Sequence, residues 1–197
     1  VSCTTLYAVM PDNDGEFTEA GEYRNSYGSA VFIWHALLDT YKRGILNGRP
    51  LMGDPGVGWD PSAVDRFSAY DLLWKYDSKG GELQPWERNA LKSTYDNALL
   101  PRAGMLTMAD SLERFAAAHH TGKRLHGVCS LREQAATLRE IHAKGALAAA
   151  WNQTSCSEFW GDGTYEDDED ETSTPYSIDR DDKHWEIAVL PLDGEQS

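Results

Sequence analysis

His126 and Cys129 stand three residues apart, and Cys156 and His184 follow them, a set of nitrogen and sulfur donors of the kind that holds zinc. The stretch "RLHGVC" reads as a short strand, on which residues three apart point to opposite faces. No Cys-x-x-Cys or His-x-x-x-His spacing reinforces the set, so no metal or other cofactor is expected. Cys156 with His184 has the composition of a thiol nucleophile and its base. Thiolates form beside cations or helix N-termini, whereas Cys156 precedes the most acidic part of the chain, where a second negative charge is disfavoured. Gly53, Gly56 and Gly58 in "GDPGVGWDP" have the look of a phosphate cradle, but Trp59 and Asp60 occupy the place of the Lys-Ser/Thr pair that such a cradle needs. "DGTYEDDEDE" lacks the alternation of acids and the central glycine spacing of a calcium-binding loop. An enzyme built on His126, Cys156 and His184, or on carboxylates the sequence hides, is the alternative reading, a small hydrolase with its site between helices and sheet.

The stronger signal is electrostatic. Within "GTYEDDEDETSTPY" (163–176), Glu166, Asp167, Asp168, Glu169, Asp170 and Glu171 are consecutive, with no Lys or Arg among them. The net charge is −14, and it is unevenly placed. From Ala148 onward there are 14 acids against two bases, Arg180 and Lys183, while the first 147 residues hold 18 acids and 16 bases. A field of this sign repels nucleic acid and anionic membrane and attracts basic surfaces. Six extended residues cover about 20 Å at roughly 3.3 Å each, and a nucleic-acid strand carries one charge about every 3.4 Å. An ordered acidic strand could therefore fill a groove that binds phosphates. Most acidic runs are merely solvated loops. Here, however, Phe159, Trp160, Tyr165 and Tyr176 lie close by, and large aromatics beside dense charge suit a binding rim. The partner-binding set read from the sequence is Trp160, Asp162, Tyr165, Glu166 to Glu171, Asp179, Asp181 and Asp182.

These groups need a scaffold. Residues 3–10, "CTTLYAVM", alternate as a strand, and "PDNDGEFTEAGEYRN" reads as a loop. "SYGSAVFIWHALLDTYKRG" predicts a buried helix whose polar stripe is His35, Asp39, Lys42 and Arg43, with Gly44 as its stop. A Gly/Pro-rich connector (45–60) precedes a helix capped by Asp60, with Ala63, Phe67, Tyr70 and Trp74 inward and "SKGGELQ" at its end. Pro85 opens a further helix with Trp86, Ala90, Tyr95, Ala98 and Leu99 inward. Thr107 with Asp110, and Ser130 with Glu133, have capping-box spacing for two more helices, the second stopped by Gly145. His119 and His120 fall at a helix C-terminus, where imidazolium complements the dipole. "ALAAAW" and "KHWEIAVL" read as strands.

This order predicts one α+β domain over 1–197, with 161–182 as an acidic loop within it. A small, mostly antiparallel sheet from the N- and C-terminal strands packs on about five helices. The opening "VSCTTLYAVMP" reads as a strand and not as a signal peptide. Cys3, Cys129 and Cys156 form an odd, scattered set that fits reduced thiols in a cytoplasm better than a disulfide framework. The Asn152–Thr154 sequon would matter only in a secreted protein. A near-neutral body with a lopsided acidic face is similar in general character to small phage-encoded inhibitors that mimic DNA. The likeness is one of charge distribution; it carries no shared motif and transfers no residue role. It implies a non-enzymatic inhibitor that blocks a basic, nucleic-acid-handling host or defence protein.

Overall fold

Strand β1 (Cys3–Val9) sends Thr4, Leu6 and Ala8 toward the helices and Thr5, Tyr7 and Val9 to the opposite face. A computed structural model describes residues 3–12, 16–24, 29–46, 69–94, 98–120, 125–153 and 185–192. The stretch after β1, expected to be a loop, turns back as β2 (Phe17–Arg24), antiparallel to β1. Its alternation is broken by a register shift between Leu6 and Tyr7 of β1, and that break concealed the strand in the sequence. Strand β3 (Ala98–Pro101) and β4 (Ala148–Gln153) pair antiparallel, β4 also pairs antiparallel with β1, and β5 (Trp185–Glu186) joins β3 in parallel. The sheet order is β2-β1-β4-β3-β5, so strands from both chain ends build it and antiparallel pairs dominate, as expected.

Among the described residues, five helices pack on it. α1 (Ser29–Leu46) buries Phe32, Ile33, Ala36 and Leu37 and leaves His35 and Asp39 exposed. It runs through Gly44, which is therefore not its stop; a single helical glycine costs only about 1 kcal/mol, which a packed helix absorbs. Of the face expected on the second helix, Ala63 and Phe67 lie outside the described residues. α2 (Ala69–Ser78) buries Leu73 and half-buries Trp74. It ends as expected at the glycine pair: Gly80 has φ +85°, and the Gly81 N–H donates to Tyr76 O at 3.2 Å.

α3 (Pro85–Lys92) is shorter than its pattern predicts. The Ser93 and Thr94 hydroxyls donate to the carbonyls of Ala90 and Leu91, each at 2.7 Å, and close the helix. Ala98 and Leu99, expected on that helix, belong to β3. A 3-10 turn (Arg102–Gly104) leads into α4 (Met105–Ala118), so Thr107 lies inside the helix and caps nothing. α5 (Leu125–Ala143) absorbs "LHGVC", expected to be a strand; Ser130 is buried within it, not at its start. Val128, Leu131, Ala135 and Leu138 continue one helical face across that point, and this periodicity prevails over the local strand pattern. Gly145, with φ +95°, stops α5 as expected.

The main core joins Leu6, Ala8, Leu100, Ala149 and Trp151 of the sheet to the helices. A smaller cluster of Val9, Leu99, Ala148 and Ala150 lies on the opposite face, with half-buried Phe17 against it. The alanines of β4 thus serve both faces at the sheet centre. Trp151 is fully buried, and its indole N–H donates to Gln134 Oε1 of α5 at 2.9 Å. Tyr23 ties β2 to the same helix through a 2.6 Å bond to Thr137 Oγ1.

Candidate functional site

The sequence-derived binding set (Trp160, Asp162, Tyr165, Glu166 to Glu171, Asp179, Asp181 and Asp182) lies outside the described residues, as do Cys156 and His184. What is described is where that stretch is anchored. Trp151 of β4 and Trp185 of β5 both pair in register with Ala98 of β3. β4 runs antiparallel and β5 parallel to β3, so the connection 154–184 leaves and re-enters the sheet at one end. The described residues carry 14 acids and 12 bases, which leaves 18 acids and six bases elsewhere in the chain. The charge excess is therefore not spread over the scaffold.

His126 and Cys129 lie on α5 and not on a strand, a correction that puts residues three apart on neighbouring positions of one helical side. Cys129 is an exposed free thiol. Among the described residues no group of three His, Cys, Asp or Glu side chains could hold a metal ion. No described helix is long and apolar enough to cross a membrane.

The re-entering chain is strapped to the helices. After β5, the Ile187 N–H donates to Leu99 O at 2.8 Å, and Ile187 and Leu192 are buried. Asn89 of α3, fully buried, grips both backbone groups of Leu190: its Nδ2 donates to Leu190 O at 2.9 Å and its Oδ1 accepts from Leu190 N–H at 2.8 Å. The same amide nitrogen donates to Ser111 Oγ at 3.0 Å. Lys92 Nζ donates to Ala188 O. Burial lowers the Lys92 pKa most, and neighbouring Arg88 lowers it further against the opposing pull of Asp77.

One chemically loaded cluster escaped the sequence reading. Pro85 starts α3 and places Glu87 at the third helical position, where Glu87 Oε2 accepts the Gln84 N–H at 2.8 Å. Glu87 is only 2% exposed. Its Oε2 also accepts the Tyr41 hydroxyl of α1 at 2.6 Å, and His119 Nε2, at the end of α4, lies 3.1 Å from Oε1. The His119 ring stacks on Phe115 with centroids 4.4 Å apart and approaches Trp86 at 5.9 Å. Burial pushes the Tyr41 phenol well above the ordinary tyrosine range, and the bond to Glu87 and its charge push further. All three groups are committed to one another, so the arrangement ties α1, α3 and α4 together. The Gln84-x-x-Glu87 spacing ahead of an apolar turn was the available signal, but Gln falls outside the usual N-cap residues. His119 does cap the C-terminus of α4, as expected.

Comparison with known protein families, with curated proteins and with solved structures finds no match for this chain.

Proposed function

We propose that this protein acts by binding and not by catalysis, as an inhibitor that captures a basic, nucleic-acid-handling protein in the cytoplasm. The observation that carries the reading is the charge partition: a nearly balanced scaffold joined to a stretch from Ala148 onward holding 14 acids and two bases. In this reading Glu166 to Glu171 occupy Lys/Arg sites that otherwise hold phosphates, flanked by Asp162, Asp179, Asp181 and Asp182, with Trp160 and Tyr165 as apolar anchors. Two anchored ends in one sheet support it, because tethering a binding segment at both ends lowers the entropy lost on docking. Association is fast at low salt and weakens as salt rises.

The test is capture of basic proteins from a host lysate at rising salt, with the native chain and with a variant in which Glu166 to Glu171 are replaced by Gln and Asn. The native chain is expected to retain a discrete basic partner at low salt and release it as salt increases. The variant is expected to fold and to lose the partner. Equal retention by a folded variant refutes the assignment.

A further inference from the structure

The sheet has two faces, and the described helices account for one. Leu6, Ala8, Ala98, Leu100, Ala149 and Trp151 join the helical core. Val9, Leu99, Ala148 and Ala150 point the other way, with the half-buried Phe17 beside them. All five come from the sheet, and among the described residues no helical side chain joins their cluster. Yet this face is dry. Val9 and Ala150 are fully buried, and Leu99, Ala148 and Thr5 are at most 5% exposed. Neighbours within one sheet layer do not shield each other to that degree. Ala150 pairs with Tyr7 on one side and Leu99 on the other, and a methyl between two strands stays open to water from above. A sheet face buried this completely has a further layer packed on it.

Two long stretches lie outside the described residues. Residues 47–68 join α1 to α2, whose buried residues belong to the core on the helical side. Residues 154–184 start and finish in the sheet itself, at β4 and β5. Only β3 separates those two strands, so the ends of the connection are about 10 Å apart at roughly 4.8 Å per strand spacing. Three or so extended residues would bridge that gap at about 3.3 Å each, and the connection has 31. Its surplus begins beside the face that the helices leave bare. Phe159 follows Gln153 by six residues and Tyr176 precedes Trp185 by nine, one on each side of the acidic run. Those lengths reach about 20 and 30 Å, while Ala150 lies about 10 Å along β4 from Gln153. The run itself is unsuited to an apolar face, because burying unpaired carboxylates is costly. We propose that the flanks of 154–184 pack on the second face of the sheet, with Phe159 and Tyr176 against Val9, Leu99 and Ala150, and carry Glu166 to Glu171 outward between them. The inference concerns how the acidic run is held and does not depend on what the run binds.

The full native chain is labelled at its methyl groups and aromatic rings, and nuclear Overhauser contacts are read from the methyls of Val9, Leu99, Ala148 and Ala150. Contacts to the rings of Phe159 and Tyr176 are expected. Contacts to Trp59 or Phe67 instead would mark 47–68 as the occupant, and contacts between differently labelled copies would mark a second chain. Either result overturns the proposal, as does the lack of any contact to 154–184. Phe159→Ala with Tyr176→Ala is expected to uncover the face, so that a hydrophobic dye binds severalfold more than to the native chain. Unchanged dye binding by the folded variant overturns the proposal too, and if the variant does not fold, the native contacts decide alone. Replacing Glu166 to Glu171 by Gln and Asn should leave the contacts in place. A native chain that captures a basic protein but shows no contact between these methyls and 154–184 keeps the inhibitor reading and removes this one.

Discussion

Replacing Glu87 by Ala should be among the most damaging single changes in the described scaffold. The substitution withdraws the acceptor from three donors at once: the Tyr41 hydroxyl, the Gln84 N–H and His119 Nε2. Hydrogen bonds to a charged group contribute about 1.5–3 kcal/mol each, and loss of a helix N-terminal cap about 1 kcal/mol. Tyr41 and His119 are only half-buried and regain some water, which offsets part of the sum. The net loss is expected at about 3–4 kcal/mol, or a fall in Tm of roughly 10 °C for a domain of this size. Glu87→Gln keeps one acceptor oxygen and the volume, so its loss should be about half as large. Urea unfolding followed by tryptophan fluorescence measures both, with an unchanged m-value as the check that the denatured state is the same. Combining Glu87→Ala with Tyr41→Phe should cost less than the two changes separately, with a coupling of about 1–2 kcal/mol. A loss under about 1 kcal/mol for Glu87→Ala, with no coupling to Tyr41, would show that the three helices do not depend on this carboxylate.

Two other outcomes follow from the same geometry. The folded chain holds the Tyr41 proton more tightly than the unfolded chain, so the stabilisation is complete below the ordinary tyrosine pKa of 10.0 and is lost as the pH rises above it. Denaturation titrations from pH 8 to 11 should show falling stability, with a shallower slope in Tyr41→Phe; Tyr7 and Tyr23, also raised chiefly by burial, keep the slope from vanishing. Asn89→Ala strands both backbone groups of Leu190 and removes a donor from Ser111 Oγ, which keeps its own bond to Thr107 O, at a cost of about 2–4 kcal/mol. Exchange of the amides of 187–190 should accelerate well beyond the global change, and equal acceleration everywhere would contradict a local strap.

The fold class was legible because the apolar periodicities of β1, α1 and "ALAAAW" agree with their final setting. The errors share a cause: local patterns were overridden by contacts distant in sequence. β2 hid behind a bulge that breaks its alternation. Ala98 and Leu99 fit a helical face, but Ser93 and Thr94 close α3 before reaching them, and Trp151 and Ala150 then pair with them in the sheet. "LHGVC" had a strand-like composition and a glycine, yet its apolar residues join the helical stripe that follows. The sites divide in the same way. An acidic run is visible in one dimension because like residues are contiguous. Glu87, Tyr41 and His119 are separated by 46 and 32 residues, and no local pattern brings them together.

The sheet order β2-β1-β4-β3-β5 has a consequence for biogenesis. The strand that occupies its centre is the fourth of the five to leave the ribosome. Until residues 148–153 arrive, the β1–β2 hairpin and β3 have no common neighbour, and the inward edges of both stay open. Closure then depends on contacts spanning most of the chain, which slows folding and prolongs exposure of adhesive edges. A nascent chain from which residues 148–153 have not yet emerged would present two unfinished sheet edges, and only their emergence seals the centre.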